Sequence, residues 1–396
     1  MKILVIHQVP YRKMSYHLGL DHDRHEVTYI GHPQRMADLP AELRCRRIEL
    51  AEGEDLVEGV TARVSPEDGF EKLLSLSEFG ILQAWHIRRH LGLAGPSLEQ
   101  IERVRDKVSM KQALADSGIR HPRFEPAPAP CDALPWTGRT VIKPRQGASS
   151  EGVTLHDTAR EALTAYWKLD DRLDFQLEEY IDGDILHIDG LVSDGTPGDL
   201  VISRYINKPV EYLDGHVIAS HQIPDPHGRF RHFAEQVVKA LEIESGCVHL
   251  ELFETAEGEL VFLEIANRMG GAGVVNAHLG HTGIHLPSHE IAIRLGLERP
   301  APAQPSGRYH GWLVVPGHHL GTRGHTITVP EAVRQHPAID ALHVLAPEQP
   351  LPDHITYHEW LVPVFIEASH ADAGELAAFF RECARTITVE PAPAGG

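Results

Sequence analysis

Cysteine is scarce in this chain: Cys45, Cys131, Cys247 and Cys383 are the only four in 396 residues. They are far apart and form no C-x-x-C pair, which argues against a disulfide framework and against a cysteine zinc site. Reduced thiols are expected. Positive charge is also in short supply, with 37 Lys and Arg against 56 Asp and Glu and a net charge of −19 with histidine neutral. So acidic a surface repels nucleic-acid phosphates and anionic membranes, and neither is expected as a partner. A few clustered lysines would still set a local positive field for an anionic substrate. No run of ~20 apolar residues is present to span a bilayer. The apolar stretch Ile3 to Ile6 is too short for a signal peptide and is ended by His7-Gln8. A cytoplasmic protein is expected. Two nucleotide motifs are missing as well: there is no G-x-x-x-x-G-K-[ST], and no G-x-G-x-x-G follows the first apolar run. The 28 histidines are scattered without H-E-x-x-H spacing and read as surface or packing residues.

What is present is the composition of a globular protein, 42% hydrophobic and 23% charged, long enough for two or three domains. Residues 1–96 read as a small α/β unit. Ile3 to Ile6 and Val27 to Ile30 suit buried parallel strands, and a helix carries Phe79, Leu82, Ile87 and Leu91 on roughly one face before Gly92 to Pro96 breaks it. Residues 97–175 begin with charged helical sequence and a Pro-rich connector, Pro122 to Pro135. The apolar run Thr140 to Pro144 follows, then the loop Gln146-Gly147-Ala148-Ser149-Ser150-Glu151-Gly152, then Val153 to Leu155, a hairpin around a flexible loop. Residues 176–300 hold strand candidates Phe175 to Ile181, Leu186 to Val192, His249 to Phe253 and Leu260 to Ile265, and a helix from Phe233 to Leu241. A Pro-rich linker at Pro300, Pro302 and Pro305 opens residues 301–396, with strand patterns at Trp312 to Val315 and Trp360 to Ile366 and an amphipathic helix around Glu375 to Ala384. The tail Pro391 to Gly396 is expected to be disordered.

Two carboxylates interrupt apolar strands: Glu251 in His249-Leu250-Glu251-Leu252-Phe253 and Glu264 in Val261-Phe262-Leu263-Glu264-Ile265. A buried carboxylate needs a compensating cation. Two antiparallel strands joined by the turn Thr255 to Glu259 would put both on one face, and paired hard oxygen ligands suit Mg²⁺. Either glutamate alone reads more simply as solvent-facing; the pair, followed by Arg268-Met269-Gly270-Gly271, points to metal. Lys143 ends an apolar run just before the Gly/Ser loop, whose N–H groups can approach phosphate oxygens closely. Lys107, in Asp106-Lys107-Val108-Ser109-Met110-Lys111, reads by itself as a surface helix lysine.

Taken in order, four blocks resemble the ATP-grasp superfamily and, within it, the ligases that join amino acids. They are Arg105-Asp106-Lys107 with Met110; Val141-Ile142-Lys143-Pro144 with the Gly/Ser loop; Leu177-Glu178-Glu179-Tyr180-Ile181-Asp182-Gly183; and Glu251 with Leu263-Glu264-Ile265-Ala266-Asn267-Arg268-Met269-Gly270-Gly271. The resemblance runs from Met1 to about Arg299. It implies an α/β ATP-grasp fold: a Rossmann-like pre-ATP-grasp domain over 1–96, a small lobe with the lid loop over 97–175, a large lobe with the metal site over 176–300, and a β-rich C-terminal subdomain packed on the large lobe over 301–396. ATP would lie between the lobes. Lys107 and Lys143 would contact its α- and β-phosphates, and Gly147, Ser149, Ser150 and Gly152 would close over the β- and γ-phosphates. Glu178, Glu179 and the backbone at Ile181 would hold adenine, and Asp184 the ribose. Glu251 and Glu264, with Asn267, would bind Mg²⁺, or Mn²⁺ in its place. Arg268 would stabilise charge on the transferred phosphoryl group. The common motif has Asn two residues after the second glutamate; here Ala266 stands there and Asn267 is one later.

The implied chemistry converts a carboxylate to an acyl phosphate, which an amine then attacks, so small-molecule carboxylates and amines are the expected partners. A homodimer is implied by the same resemblance. His187 and Asp189, alternating along one strand, are candidates for deprotonating the amine. Arg204, with Gly270 and Gly271, is a candidate for holding substrate. Two other readings stay open: a carboxylase or small-molecule kinase on the same fold, and a non-catalytic nucleotide-binding protein. No A-M-K-M biotinyl sequence occurs in the chain.

Overall fold

The computed structural model describes residues 1–127, 133–321 and 324–391. Cys131 and residues 392–396 of the tail lie outside them. Cys45, Cys247 and Cys383 are free thiols.

The N-terminal unit is a four-stranded parallel sheet of β1 (Lys2–Ile6), β2 (Glu26–Gly31), β3 (Arg46–Glu49) and β4 (Lys72–Ser75), ordered β3-β2-β1-β4. The unbroken apolar run of β1 follows from burial on both faces. Ile3 and Val5 pack into a core shared with Leu286, Ile291 and Leu295 of the helix Leu286–Leu295. Leu4 and Ile6 pack on the other side against Ala84, Ile87 and Leu91 of the helix Ile81–Leu91. That helix differs from the sequence expectation at its start. Phe79 precedes it and is 61% exposed, and Leu82 is exposed, so the buried stripe is Ala84, Ile87 and Leu91.

The small lobe is the antiparallel sheet of β5 (Phe124–Glu125), β6 (Thr140–Pro144), β7 (Thr154–His156) and β8 (Phe175–Glu179), ordered β5-β8-β6-β7. The helix Ala159–Tyr166, whose Glu161 N–H is capped by Thr158, lays Leu163 and Tyr166 against Ile142 and Leu177.

The large lobe opens with β9 (Asp184–Ser193), β10 (Thr196–Tyr205), β11 (Ile218–Gln222), β12 (Gly246–Glu254) and β13 (Leu260–Ala266). It continues past the Pro-rich linker with β14 (Tyr309–Val315), β16 (Ile339–Val344) and β17 (Val364–His370), while β15 (His325–Thr328) and β18 (Thr388–Pro391) form a separate pair. Apart from that pair, the strands after residue 306 do not make a sheet of their own. They extend the large lobe into one eight-stranded sheet, β13-β12-β9-β10-β11-β14-β17-β16, because β11 pairs antiparallel with β14. Phe230, Phe233 and Val237 of the helix Arg229–Ala240 cover one half of this sheet, and Leu376 and Phe380 of the helix Ala373–Thr386 cover the other. The expected strand at Trp360 is also displaced: Trp360 is half exposed, and strand pairing begins only at Val364. Among the described residues no helix is long and apolar enough to cross a membrane.

Candidate active site

The cleft between the two lobes is built around a group of lysines. Asp106 caps the helix Lys107–Ala113 by accepting from Val108 N–H at 2.9 Å and Ser109 N–H at 3.0 Å, and its other oxygen takes Arg145 Nε at 3.0 Å. This pins the first helical turn to the end of β6. Lys107 Nζ donates to Gly147 O at 3.0 Å and lies 3.3 Å from Glu264. One turn later Lys111, fully buried, lies 2.5 Å from Glu178, and Lys143 Nζ is 2.9 Å from the same carboxylate. Burial alone would raise the Glu178 carboxyl, but Lys111 and Lys143 outweigh it and hold it at about 2. Burial pushes Lys111 down to about 8 against the pull of Glu178. Two ammonium groups on one carboxylate leave a positive surplus beside Lys107.

That packing corrects one expectation. Glu178 is closed between two lysines rather than presented to a base, so it holds Lys111 and Lys143 in place. Glu179 is likewise committed: Arg123 grips it in bidentate fashion at 3.0 and 3.1 Å, and Arg120 lies 3.3 Å away. The segment just after β8, Tyr180 and the buried Ile181, lines the cleft with Val141, Leu155, Phe253 and Leu263. This apolar slot suits a flat base.

The loop after β6 has φ angles of 122° at Gly147, 63° at Ser149, 57° at Ser150 and 72° at Gly152. Left-handed serines cost energy unless the surroundings enforce them, so Ser149 and Ser150 hold the loop in an unusual conformation directly over the cleft. Gly147 and Ser150 line the cleft, Ser149 faces the adjoining cavity, and Gly152 packs on Pro144.

Glu251 and Glu264 are direct cross-strand partners on β12 and β13, so both carboxylates share the cleft face. Glu251 accepts from Tyr205 Oη at 2.9 Å and lies 3.6 Å from His249 Nε2. Burial would raise its carboxyl, but His249 and Tyr205 bring it below the usual carboxylate range. The donor set, two hard carboxylate oxygens beside a phosphate-sized cationic cleft, fits Mg²⁺. Asn267 does not join them. Its Nδ2 donates to Ser245 O at 3.0 Å and Cys247 O at 2.8 Å, and Arg294 approaches its Oδ1, so it ties the end of β13 to the start of β12.

Arg268 donates from Nε to Glu78 at 2.6 Å and from Nη1 to Met269 O at 2.9 Å. Burial would lower its pKa, but Glu78, Glu264 and Glu251 raise it, so it stays charged. Glu78, contributed by the N-terminal unit and also 3.2 Å from Arg105, carries no sequence signal and is visible only in the fold. Beyond Arg268 lies a cavity of about 580 Å³ walled by Lys13, Ser149, Gly271, Glu359 and Glu367. Ala148 of the lid loop lines both this cavity and the cleft. Gly270 sits where a Cβ would be 2.7 Å from Asp189 Oδ1 and 2.9 Å from His249 Nδ1, so only glycine lets the chain pass.

His187 and Asp189 do share a face of β9, but they are interior. His187 Nδ1 is 2.5 Å from Asp189 and its Nε2 is 2.6 Å from Ser220 Oγ. Asp189 also holds His249 Nδ1 at 2.8 Å. Burial alone would lower His249, but Asp189 and Glu251 raise it to about 10. His249 is the member of this chain that borders the smaller cavity shared by Glu251, Glu264 and Arg268, so His187 and Asp189 position it instead of meeting an amine themselves. These three side chains also cluster closely enough to hold a metal ion, but their direct hydrogen bonds to one another account for the geometry. Two other candidates lie elsewhere. Asp184, 63% exposed, pairs with Arg204 at 2.6 Å, and Arg204 also meets Glu254; neither residue lines the cleft or the cavities beside it. Lys208, which donates to Tyr180 Oη at 2.7 Å, lines the cleft instead and was missed because a lone loop lysine has no signature.

Two lobes closing on a lysine-lined cleft with a paired-glutamate edge define a class, and residues 138–276 match the ATP-grasp domain family. Those residues form an ATP-grasp domain. The chain is 27% identical over 221 residues to the L-arginine-specific L-amino acid ligase of Bacillus subtilis, a match covering 52% of this chain and 53% of the relative; the chain spans about half the length of that curated relative. The L-amino acid ligase from Bacillus licheniformis superposes with a TM-score of 0.73 at 21% identity, covering 98% of each chain. The N5-carboxyaminoimidazole ribonucleotide synthetase from Thermotoga maritima superposes with a TM-score of 0.65 at 16% identity, covering 98% of this chain and 99% of that one.

Proposed function

We propose that this protein is an ATP-dependent carboxylate–amine ligase that joins amino acids through an acyl phosphate. The observation that carries the reading is the position of Arg268, which borders both the cavity that holds Glu251 and Glu264 and a separate cavity lined by acidic and basic side chains. The relationship to L-amino acid ligases supports amino acids as the joined pair.

In this reading a substrate carboxylate oxygen attacks the γ-phosphorus of ATP; the new O–P bond forms as the bond to the β-bridging oxygen breaks and ADP leaves. A neutral amine then attacks the acyl carbon, loses its proton, and phosphate departs. The protein supplies no nucleophile and works by alignment and charge. Lys107 and Lys143 bind the phosphates, and the loop Gly147 to Ser150 covers them and excludes water. Arg268, held by Glu78, faces the charge that develops between cleft and cavity. Mg²⁺, held by Glu251 and Glu264, would neutralise phosphate charge. His249, held by Asp189, steadies Glu251.

The test is nucleotide product analysis with Mg-ATP and pooled amino acids. ADP and free phosphate formed only when amino acids are present support the ligase. AMP and pyrophosphate, or ADP formation that requires bicarbonate instead, would refute it.

A further inference from the structure

Glu367 is a third carboxylate set in an apolar strand. On β17 it follows Val364, Phe365 and Ile366 and precedes Ala368, all of them buried. Successive side chains of a strand point to opposite faces. Val364, Ile366 and Ala368 pack with Leu376 and Phe380 of the helix Ala373–Thr386. Phe365 and Glu367 therefore face the other way, into the cavity of about 580 Å³ beside Arg268.

A carboxylate taken out of water needs compensation. The one direct partner of Glu367 among the described residues is neutral: Asn276 Nδ2 donates to its Oε1 at 2.7 Å. Burial pushes its carboxyl up, Asn276 offsets part of that, and Glu359 and Asp340 add to the rise against His343 alone. The cations bordering the same cavity have carboxylates of their own. Arg268 is held by Glu78, Arg12 lies 3.6 Å from Glu359, and Glu359 also supports the charge of Lys13. Glu367 has no such counter-ion among the described residues. It is also only part-buried, so its carboxylate is open to what fills the cavity.

Its place fixes what can reach it. Glu367 does not border the smaller cavity of Glu251, Glu264 and Arg268; it meets only the larger one. Val274 N–H closes a turn on Gly271 O at 3.1 Å, and Asn276 stands two residues further into the helix Val274–Thr282. Gly271 and Asn276 are thus no more than roughly 10 Å apart, a span that a long side chain covers and a short one does not. The same cavity carries Val9, Met14, Leu76, Met269 and Val275, apolar surface of the kind an aliphatic stem covers.

We propose that Glu367 selects an amino acid with a cationic side chain, its carboxylate at Arg268, its stem along the apolar wall and its ammonium or guanidinium on Glu367. The assignment deepens the ligase reading and rests on it for the choice of cavity.

Equilibrium dialysis of the full chain with Mg²⁺ and a non-hydrolysable ATP analogue tests it, comparing lysine and arginine with norleucine, which keeps the stem and lacks the charge, and with glutamate. The parent protein is expected to hold lysine or arginine at least tenfold tighter than norleucine or glutamate. Glu367→Gln should remove that margin and keep or raise the parent's thermal midpoint, because it removes a charge without a counter-ion. Norleucine or glutamate held as tightly as the cationic pair, none of the four retained, or a margin unchanged in Glu367→Gln overturns the proposal. ADP formation is measured separately. A cationic amino acid held through Glu367 without ADP formation refutes the ligase reading and leaves the binding assignment in place. ADP formed equally well from norleucine refutes the assignment and leaves the ligase reading in place.

Discussion

Glu178 and the Glu251–Glu264 pair are carboxylates on neighbouring walls of one cleft, and they are handled in opposite ways. Glu178 is 3% exposed and receives two lysines, at 2.5 and 2.9 Å. Glu251 and Glu264 stand side by side with the hydroxyl of Tyr205, the edge of His249 and a Lys107 that is shared with the loop. The first arrangement is closed and leaves surplus positive charge; the second is open and leaves room for a cation. In the proposed function, a nucleoside triphosphate with a divalent ion would supply what each lacks. A carboxylate in an apolar strand thus announces compensation, and only its neighbours say whether that compensation is built in or brought by a ligand.

That contrast can be broken most directly at Glu178. Glu178→Gln leaves two buried lysines unpaired and should cost about 3–5 kcal/mol of stability, read by denaturant unfolding; a midpoint equal to the parent's contradicts the closed arrangement. The same carboxyl sets an acid limit. Its folded pKa of about 2 lies below the ordinary 4.5, so its contribution is complete above pH 4.5 and disappears as pH falls toward 2. The loss should amount to at most about 3 kcal/mol, and Glu178→Gln should flatten that part of the pH–stability curve.

At the open pair the signature reverses. Glu264→Gln should leave the unfolding midpoint near the parent's while turnover drops by at least about 100-fold, roughly 3 kcal/mol of transition-state charge stabilisation. Retained activity would remove the metal assignment. Lys143→Ala should weaken ATP binding by about 1.5–3 kcal/mol, the worth of a charge-assisted hydrogen bond, measured by titration calorimetry; parent-like affinity counts against the phosphate role. The smallest effect is expected at Arg204→Ala. Its partners Asp184 and Glu254 sit away from the cleft, so stability should change by under about 1 kcal/mol and kcat by less than twofold.

Much of this was legible before folding. Lys143, Glu251, Glu264 and Arg268 were singled out as candidates from strand, loop and turn patterns, Lys107 only through the ordered family resemblance, and the fold brings all five to the cleft or the cavity beside it. Glu78, Lys111 and His249 were not found as functional. Glu78 reaches Arg268 across 190 positions of sequence, and His249 acts through a partner on another strand. Asp184, Arg204 and Asn267 show the converse error: each has the right chemistry near a motif, but is drawn to a partner that no spacing reveals.

The sequence by itself determined the parallel N-terminal strands, the hairpin with its lid loop, the paired glutamate strands and the superfamily they spell, because periodicity and short motifs act within a few residues. Tertiary structure alone decided which charges meet. It joined the C-terminal strands to the large-lobe sheet through β11 and β14 and buried Glu178 between two lysines. It also set Glu367 beside Asn276 on the wall of the cavity next to Arg268. Electrostatic and hydrogen-bond partners are set by distance in space, and that distance exists only once the chain has closed on itself.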